Sequence, residues 1–310
     1  MVVSDLEKSM KKYVYDYGVG PMYVIKFSPD NVSNMYLHGK KINYSMNLGV
    51  CPIGDVRFEL IEPLTKSIHS EFLQKNGEGI IHHLKIDVEN YNQTIKYFDS
   101  IGIGSLQSGQ QQGEKGENIY NYLETSKRLG FICELTNVSD DFIKPQPDRW
   151  YPEKRDYVPI FKRPTHVGIV VKDLNQKIRE YTEFFGMKDW YVKKFDSSLM
   201  ENTYIHGKRK DYTVKIAFCD LGNMLIKLIE PIDDSIYAEF YSKHGDGIVH
   251  HLGMKVSDYS SVLDDLKSKG LEILQSGIYL GRTRYAYIST DQDINFITEI
   301  FENNGTMFLP

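Results

Sequence analysis

The sequence predicts an α+β protein built from four βαβββ modules that pair into two domains. Three observations predict it. The first is a repeat: GEGIIHHLKIDV at residues 77–88 returns as GDGIVHHLGMKV at 245–256, and VVSDL, LIEP and LQSG also recur in the second half. Asp5 and Asp173, Pro63 and Pro231, and His83 and His251 are each 168 residues apart (173 minus 5), so a whole domain is duplicated with almost no insertion. The second is a smaller repeat inside each copy, a strand followed by a helix. The third is that apolar stretches of strand length follow each of these pairs, as in YTVKIAFCDLG with MLIKLIEP and RYAYIST with NFITEIF.

HVGIVVKDLNQKIREYTEFFG shows the strand–helix unit clearly. His166, Gly168 and Val170 alternate with apolar neighbours, Asp173 is placed to cap, Leu174, Ile178, Tyr181 and Phe185 recur at helical spacing, and Gly186 stops the helix. HHLGMKVSDYSSVLDDLKSKG repeats that order, with Asp258 near the cap, Val262, Leu263 and Leu266 on one face, and Gly270 at the end. The constant offset ends after LQSG, where QQQGEKGENIYNY is three residues longer than IYLGRTRYAY. The expected domains are residues 1–140 and 164–310. Residues 141–163, rich in proline and charge with no sustained period, form the expected linker.

Composition narrows the function. The chain has 310 residues, 41% hydrophobic and 25% charged, with 22 Tyr and 15 Phe, which is enough apolar mass for two packed domains. A net charge of -5 without a basic block argues against a nucleic-acid partner. No apolar stretch reaches membrane-spanning length and the first residues do not read as a signal peptide, so the expected location is cytoplasmic, with no membrane partner. Cys51, Cys133 and Cys219 are odd in number and widely spaced, as expected of reduced core thiols.

A sheet covered by helices on one face alternates helix side and open side along each strand. In HHLGMKV the set His250, Leu252, Met254 and Val256 goes to the helix side, leaving His251 on the open face with Gly253 and Lys255. In THVGIVV, Val167, Ile169 and Val171 go to the helix and His166 points the other way. Glu299 shares a face with Ile297 and Asn295 in an otherwise apolar last strand, where an unpaired carboxylate is costly. One open-face histidine is ordinarily a solvated or hydrogen-bonded residue. Two imidazoles and a carboxylate on the open faces of three strands form a candidate metal-ligand set. The first histidine of each pair, His82 or His250, is expected to be structural.

These residues resemble the vicinal oxygen chelate superfamily of glyoxalases, bleomycin-resistance proteins and extradiol dioxygenases, and most of all its methylmalonyl-CoA epimerases. The resemblance covers nearly the whole chain twice, through HVGIVVKDL, DLGNMLIKLIEP, SIYAEFYSKHG leading into GDGIVHHLGMKV, and a final strand ending in Glu. It implies two glyoxalase-like domains, each a curved mixed sheet around a cleft. It also implies a divalent ion (Co, Mn, Ni, Zn or Fe(II)) held by a His, a Glu or Gln, a second His and a Glu. Carried over, the second copy offers His166, Lys227, His251 and Glu299, and the first copy offers Glu59, His83 and Glu134 with no first His. Lys227 departs from the pattern, since a protonated amine has no lone pair to donate. Met1, Val2 and Val3 align with Ile169, Val170 and Val171, so one expectation is a chain that starts upstream of Met1.

The resemblance implies a small-molecule substrate with a carbonyl or vicinal oxygens, and duplication makes a monomer feasible while leaving a homodimer possible. Three functions stay open. One is a metal-dependent isomerase or lyase that stabilises an enolate, with Glu299 as ligand or base, Asp211 near the family's second base position (Asn43 in the first copy), and Lys227 anchoring a substrate carboxylate. Another is an Fe(II) dioxygenase using His166, His251 and Glu299, although SGIYLGRTRYAYISTDQDINFITE lacks the extradiol spacing. The last is a non-catalytic binder of aromatic ligands, for which Trp190, Tyr191, Tyr204 and Tyr285 are candidates.

Overall fold

The computed structural model describes residues 1–54, 56–78, 80–88, 90–153, 164–290 and 296–303. Asn295 and residues 154–163 of the expected linker lie outside the described residues. The chain divides into two compact units, one of residues 1–14, 20–51 and 58–157 and the other of residues 15–19, 52–57 and 158–310.

In chain order the first unit contains α1 (Leu6–Lys11), β1 (Met22–Phe27), β2 (Val32–Leu37), β3 (Lys40–Lys41), β4 (Met46–Ile53), β5 (Val56–Pro63) and α2 (Ile68–Asn76). It continues with β6 (His83–Asp87), α3 (Tyr91–Ser100), β7 (Ser105–Gln112), β8 (Glu117–Leu123), α4 (Ser126–Leu129), β9 (Ile132–Val138) and β10 (Arg149–Tyr151). The second unit runs β11 (Pro164–Val170), α5 (Leu174–Phe185), β12 (Tyr191–Phe195), β13 (Met200–Ile205), β14 (Lys208–Arg209), β15 (Val214–Asp220) and β16 (Leu225–Pro231). It ends with α6 (Ile236–His244), β17 (Ile248–Lys255), α7 (Tyr259–Ser268), β18 (Ile273–Tyr279), β19 (Thr283–Ile288) and β20 (Ile297–Asn303).

The second unit is one ten-stranded mixed sheet in the order β12-β15-β16-β11-β17-β20-β19-β18-β13-β14. Two βαβββ modules are visible in it, β11-α5-β12-β15-β16 and β17-α7-β18-β19-β20, in each of which the first strand pairs parallel with the last. The antiparallel β11–β17 ladder joins them, while the β13–β14 hairpin leaves the first module to extend the edge of the second. The first unit repeats this plan in two pieces, β10-β1-β4-β5 and β3-β2-β7-β8-β9-β6. The division falls where β11 would lie: Met1–Val3 makes only a parallel bridge to β5, Val2 beside Ile61, which is the counterpart of Val170 beside Ile229.

Local chemistry accounts for these elements. The carboxylates of Asp5, Asp173 and Asp258 accept from the N–H groups of Lys8, Gln176 and Ser261, capping α1, α5 and α7. Gly186 ends α5 in the left-handed conformation (φ 65°). In LQSG the glutamine and the glycine each have a task in both copies. Gln107 accepts from the Ile68 N–H at 3.0 Å and Gln275 from Ile236 at 3.4 Å, at the starts of α2 and α6. Gly109 and Gly277 leave room for the hydroxyls of Tyr120 and Tyr285, which a Cβ would strike. Part of the expected linker is ordered: Arg149–Tyr151 pairs with β1, and Trp150 packs edge-on to Tyr23 at 5.3 Å. Each unit has its own aromatic-rich core, around Tyr23, Phe27, Tyr44 and Tyr120 in the first and Phe195, Phe218, Tyr237 and Phe301 in the second. Burying a side chain of this size stabilises a fold by roughly 1.5–3 kcal/mol. Cys51, Cys133 and Cys219 are free and buried, and burial pushes the first two thiols up to about 12.

Candidate metal centre

Four adjacent strands deliver the central side chains of the second unit. Across β11–β17, His166 stands opposite Gly253 and His251 opposite Gly168; Lys227 on β16 is level with Gly168, and Glu299 on β20 is level with Gly253. Residues directly opposite in a sheet share a face, so all four side chains rise from the same side. A Cβ on Gly253 would overlap the His166 ring, and one on Gly168 would overlap His251. Each imidazole therefore lies over bare backbone of the neighbouring strand, and the two ring centroids come within 5.3 Å.

The four groups converge on one carboxylate oxygen. Glu299 Oε2 is 2.5 Å from His166 Nε2, 3.1 Å from His251 Nε2 and 3.3 Å from Lys227 Nζ. Exposure is 0% for both histidines, 2% for Glu299 and 3% for Lys227, so water does not screen the cluster. The opposite ring nitrogens are also engaged. The Thr165 hydroxyl donates to the Gly253 carbonyl at 3.1 Å and lies 3.0 Å from His166 Nδ1, which assigns the ring hydrogen to Nδ1. His251 Nδ1 is 2.8 Å from His250 Nδ1. With the hydrogen of each ligand ring on Nδ1, both Nε2 lone pairs face the carboxylate, and His251 Nε2 has no hydrogen-bond partner. The Lys227 ammonium donates to Glu299 Oε2, and two neutral imidazoles with a carboxylate also suit a divalent cation. One ligand atom from each of His166, His251 and Glu299 lies within 4.8 Å of the others.

The double histidine rests on a β-bulge. The β11–β17 register steps from Gly168–His251 to Ile169–Val249, leaving His250 without a cross-strand partner. Simple alternation places His250 opposite His251. The bulge instead brings the two Nδ1 atoms together with the rings at 87°, while His250 also packs on Phe240 and Tyr237 of α6 at 4.7 and 5.0 Å. His250 Nδ1 is placed to accept from His251 Nδ1–H, the tautomer that leaves the His251 Nε2 lone pair for a ligand role. The first unit repeats the pair, with His82 Nδ1 2.9 Å from His83 Nδ1.

Burial controls the charges. It lowers His166 to about 3, helped by the Lys227 cation and opposed by Glu299, and it also lowers His251 and Lys227. Burial alone would raise Glu299, but the Lys227 cation beside it leads the opposing influences, and the carboxylate is held well below its usual range. The surrounding hydroxyls remain protonated donors. Tyr237 donates to Tyr287 at 2.6 Å, Tyr212 and Tyr285 are 2.7 Å apart, and burial raises all four.

In the first unit Glu59, His83 and Glu134 also lie within 4.8 Å of one another, with His83 Nε2 3.4 Å from Glu134 Oε2. Asp211 does not join the second cluster: it is exposed and accepts from the Thr203 hydroxyl at 3.0 Å, while the next residue, Tyr212, turns inward. Asn43, its counterpart, is exposed too. The aromatic candidates do not form one wall. Tyr285 is buried, but Tyr204 is 39% exposed, and the Trp190 indole N–H bonds to Thr182 and the Met187 carbonyl. Sequence reasoning did not find Thr165, His250 as a partner of His251, or the tyrosine pairs. The glycines of HVG and HHLG were the available signal.

Paired βαβββ modules with two histidines and a glutamate on adjoining strands define a two-module fold with a candidate metal-ligand set at its centre. Residues 1–121 and 165–287 match the Glyoxalase/Bleomycin resistance protein/Dioxygenase superfamily, and the chain belongs to it. It is 27% identical over 120 residues to the mitochondrial methylmalonyl-CoA epimerase of Homo sapiens, covering 38% of this chain and 60% of that protein. The chain thus spans about three fifths of the length of that relative. It is 28% identical over 116 residues to the ethylmalonyl-CoA/methylmalonyl-CoA epimerase of Cereibacter sphaeroides, covering 37% of this chain and 76% of that one. Among solved structures, a mutant 4-hydroxymandelate synthase from Streptomyces coelicolor aligns with a TM-score of 0.61 at 14% identity, over 99% of this chain and 92% of that one, which shows a common fold. Among the described residues, no helix is long and apolar enough to cross a membrane.

Proposed function

We propose that the protein is a metal-dependent isomerase or lyase that works beside a carbonyl group, in the manner of an acyl-CoA epimerase, with its centre at His166, His251 and Glu299. The convergence of these three buried side chains on one oxygen, with Lys227 3.3 Å away, carries this reading. A divalent ion there supplies Lewis acidity, lowering the energy of negative charge that develops on a carbonyl oxygen as the neighbouring proton leaves. His166 and His251 hold neutral nitrogens toward that point. Glu299, kept ionised by its neighbours, supplies a ligand oxygen or accepts the proton. Lys227 adds a fixed positive charge for the enolate or a substrate carboxylate. The epimerase relatives support the choice of substrate class.

The test is proton exchange. Metal-loaded full-length protein is incubated with methylmalonyl-CoA in deuterated water, and deuterium at the carbon next to the thioester is read by mass spectrometry. Exchange that stops after chelation and in His251→Ala supports the reading. Metal binding without exchange into this or other 2-substituted acyl-CoAs sinks it. A second reading, an Fe(II) dioxygenase acting on an aromatic or 2-oxo acid, is favoured by one observation: Lys227 replaces a fourth oxygen ligand, leaving a set of two histidines and one carboxylate. Oxygen uptake by the iron-loaded protein distinguishes it.

A further inference from the structure

The first unit contains an imidazole cluster apart from its carboxylate pair. His69, on the first turn of α2, takes the place that Tyr237 holds in the second copy, 168 positions on (237 minus 69). The tyrosine is satisfied there, its hydroxyl donating to Tyr287. His69 is 0% exposed, and neither of its ring nitrogens has a hydrogen-bond partner. His82, 1% exposed, stacks 4.8 Å from it with its own Nε2 unpartnered and its Nδ1 turned to His83. Tyr122 and Phe72 close the cluster edge-on, at 5.1 Å from His69 and 4.7 Å from His82. One nitrogen from each of His69, His82 and His83 lies within 4.8 Å of the others.

Buried polar atoms are nearly always satisfied, and His69, with neither ring nitrogen partnered, has a lone pair that calls for an occupant. A neutral imidazole has one lone pair to give. We propose that His69, His82 and His83 form a transition-metal site in the first unit, an all-nitrogen one that takes zinc, copper(II), nickel or cobalt in preference to magnesium, calcium or manganese. The site is independent of the centre in the second unit and does not require that centre to be catalytic. The ion takes one nitrogen of His69 and the Nδ1 lone pairs of His82 and His83, which face each other at 2.9 Å, leaving the ring hydrogens of that pair on Nε2, where that of His83 points to Glu134 at 3.4 Å.

The probe is zinc alone. Chelator-stripped full-length protein is loaded with zinc in excess magnesium, freed of unbound metal, and its zinc per chain is measured by elemental analysis. His69→Tyr installs the residue that the second copy carries, with Tyr122 placed to receive its hydroxyl, so folding is checked simply by circular dichroism. The expected result is that His69→Tyr loses one zinc equivalent relative to the parent, that His251→Ala keeps that equivalent, and that Glu134→Gln keeps it as well. Should His69→Tyr fail to fold, His82→Phe reads the same loss. Unchanged zinc content in these His69 or His82 variants overturns the proposal, as does loss in Glu134→Gln with retention in His69→Tyr, which assigns the ion to the carboxylates. If the parent binds a single zinc that disappears in His69→Tyr and survives in His251→Ala, this site stands and the centre of the second unit falls.

Discussion

His166 and Gly253 stand opposite one another on β11 and β17, and the histidine ring fills the space where a Cβ of residue 253 would be. Gly253→Ala is therefore expected to push His166 away from Glu299. Overpacking of this kind costs about 1–3 kcal/mol, and metal affinity should fall further than stability does. Urea melts beside zinc or cobalt titrations check both; an alanine variant that binds metal as the parent does would show that the cradle is not needed.

The contact between the two adjacent histidines gives a second expectation. His250→Phe keeps a ring against Phe240 and Tyr237 but leaves His251 Nδ1 without an acceptor. Loss of such a partner lowers metal affinity roughly 10–100-fold. His250→Asn, whose amide oxygen can accept, should recover part of that loss, and calorimetric metal titration of the two variants gives the comparison. Equal affinities for Phe and Asn would rule out the tautomer role.

Lys227 separates a ligand role from a charge role. Lys227→Gln supplies an oxygen where the amine has no lone pair, so metal binding should tighten by roughly 1.4 kcal/mol, a factor of ten. Turnover should drop, because the fixed positive charge is gone. A variant with weaker metal binding and unimpaired turnover contradicts both halves of this expectation.

Acid should destabilise the metal-free protein well before its carboxylates titrate. Burial lowers His166 from 6.5 to about 3 and lowers His251 in the same direction, so between those values the unfolded chain binds protons that the folded chain refuses. Stability is complete above the unfolded value and falls as pH drops from 6.5 toward 3, by about 1.4 kcal/mol per pH unit for His166, with His251 adding to the loss in the same direction. Glu299, held low, adds a loss that begins only below the ordinary carboxylate value of 4.5. Denaturant midpoints measured across this range should show a shallower slope in His166→Phe than in the parent.

The architecture was legible because duplication and period are carried by many residues at once: the 168-residue offset and the Asp caps of α5 and α7 needed no tertiary information. His166, His251 and Glu299 could be placed on one face because alternation holds along their strands. His250 broke that rule because a bulge depends on the partner strand, which a local pattern does not contain. Asp211 misled for a related reason. A shift of one residue in a loop exchanges an inward side chain for an outward one, and here Tyr212 took the inward place. His69 drew no notice because its meaning lies in the rings packed around it, among them His82 just before β6, His83 on β6 and Tyr122 on β8.

The ladder between β11 and β17 joins the first strands of the two modules of the second unit, and the two imidazoles stand on opposite sides of it. A cation gripped by both would act as a rivet across a hinge. Stripping it should loosen that seam first, so amide exchange along Val167–Val170 and Val249–Leu252 ought to quicken while the outer strands stay protected.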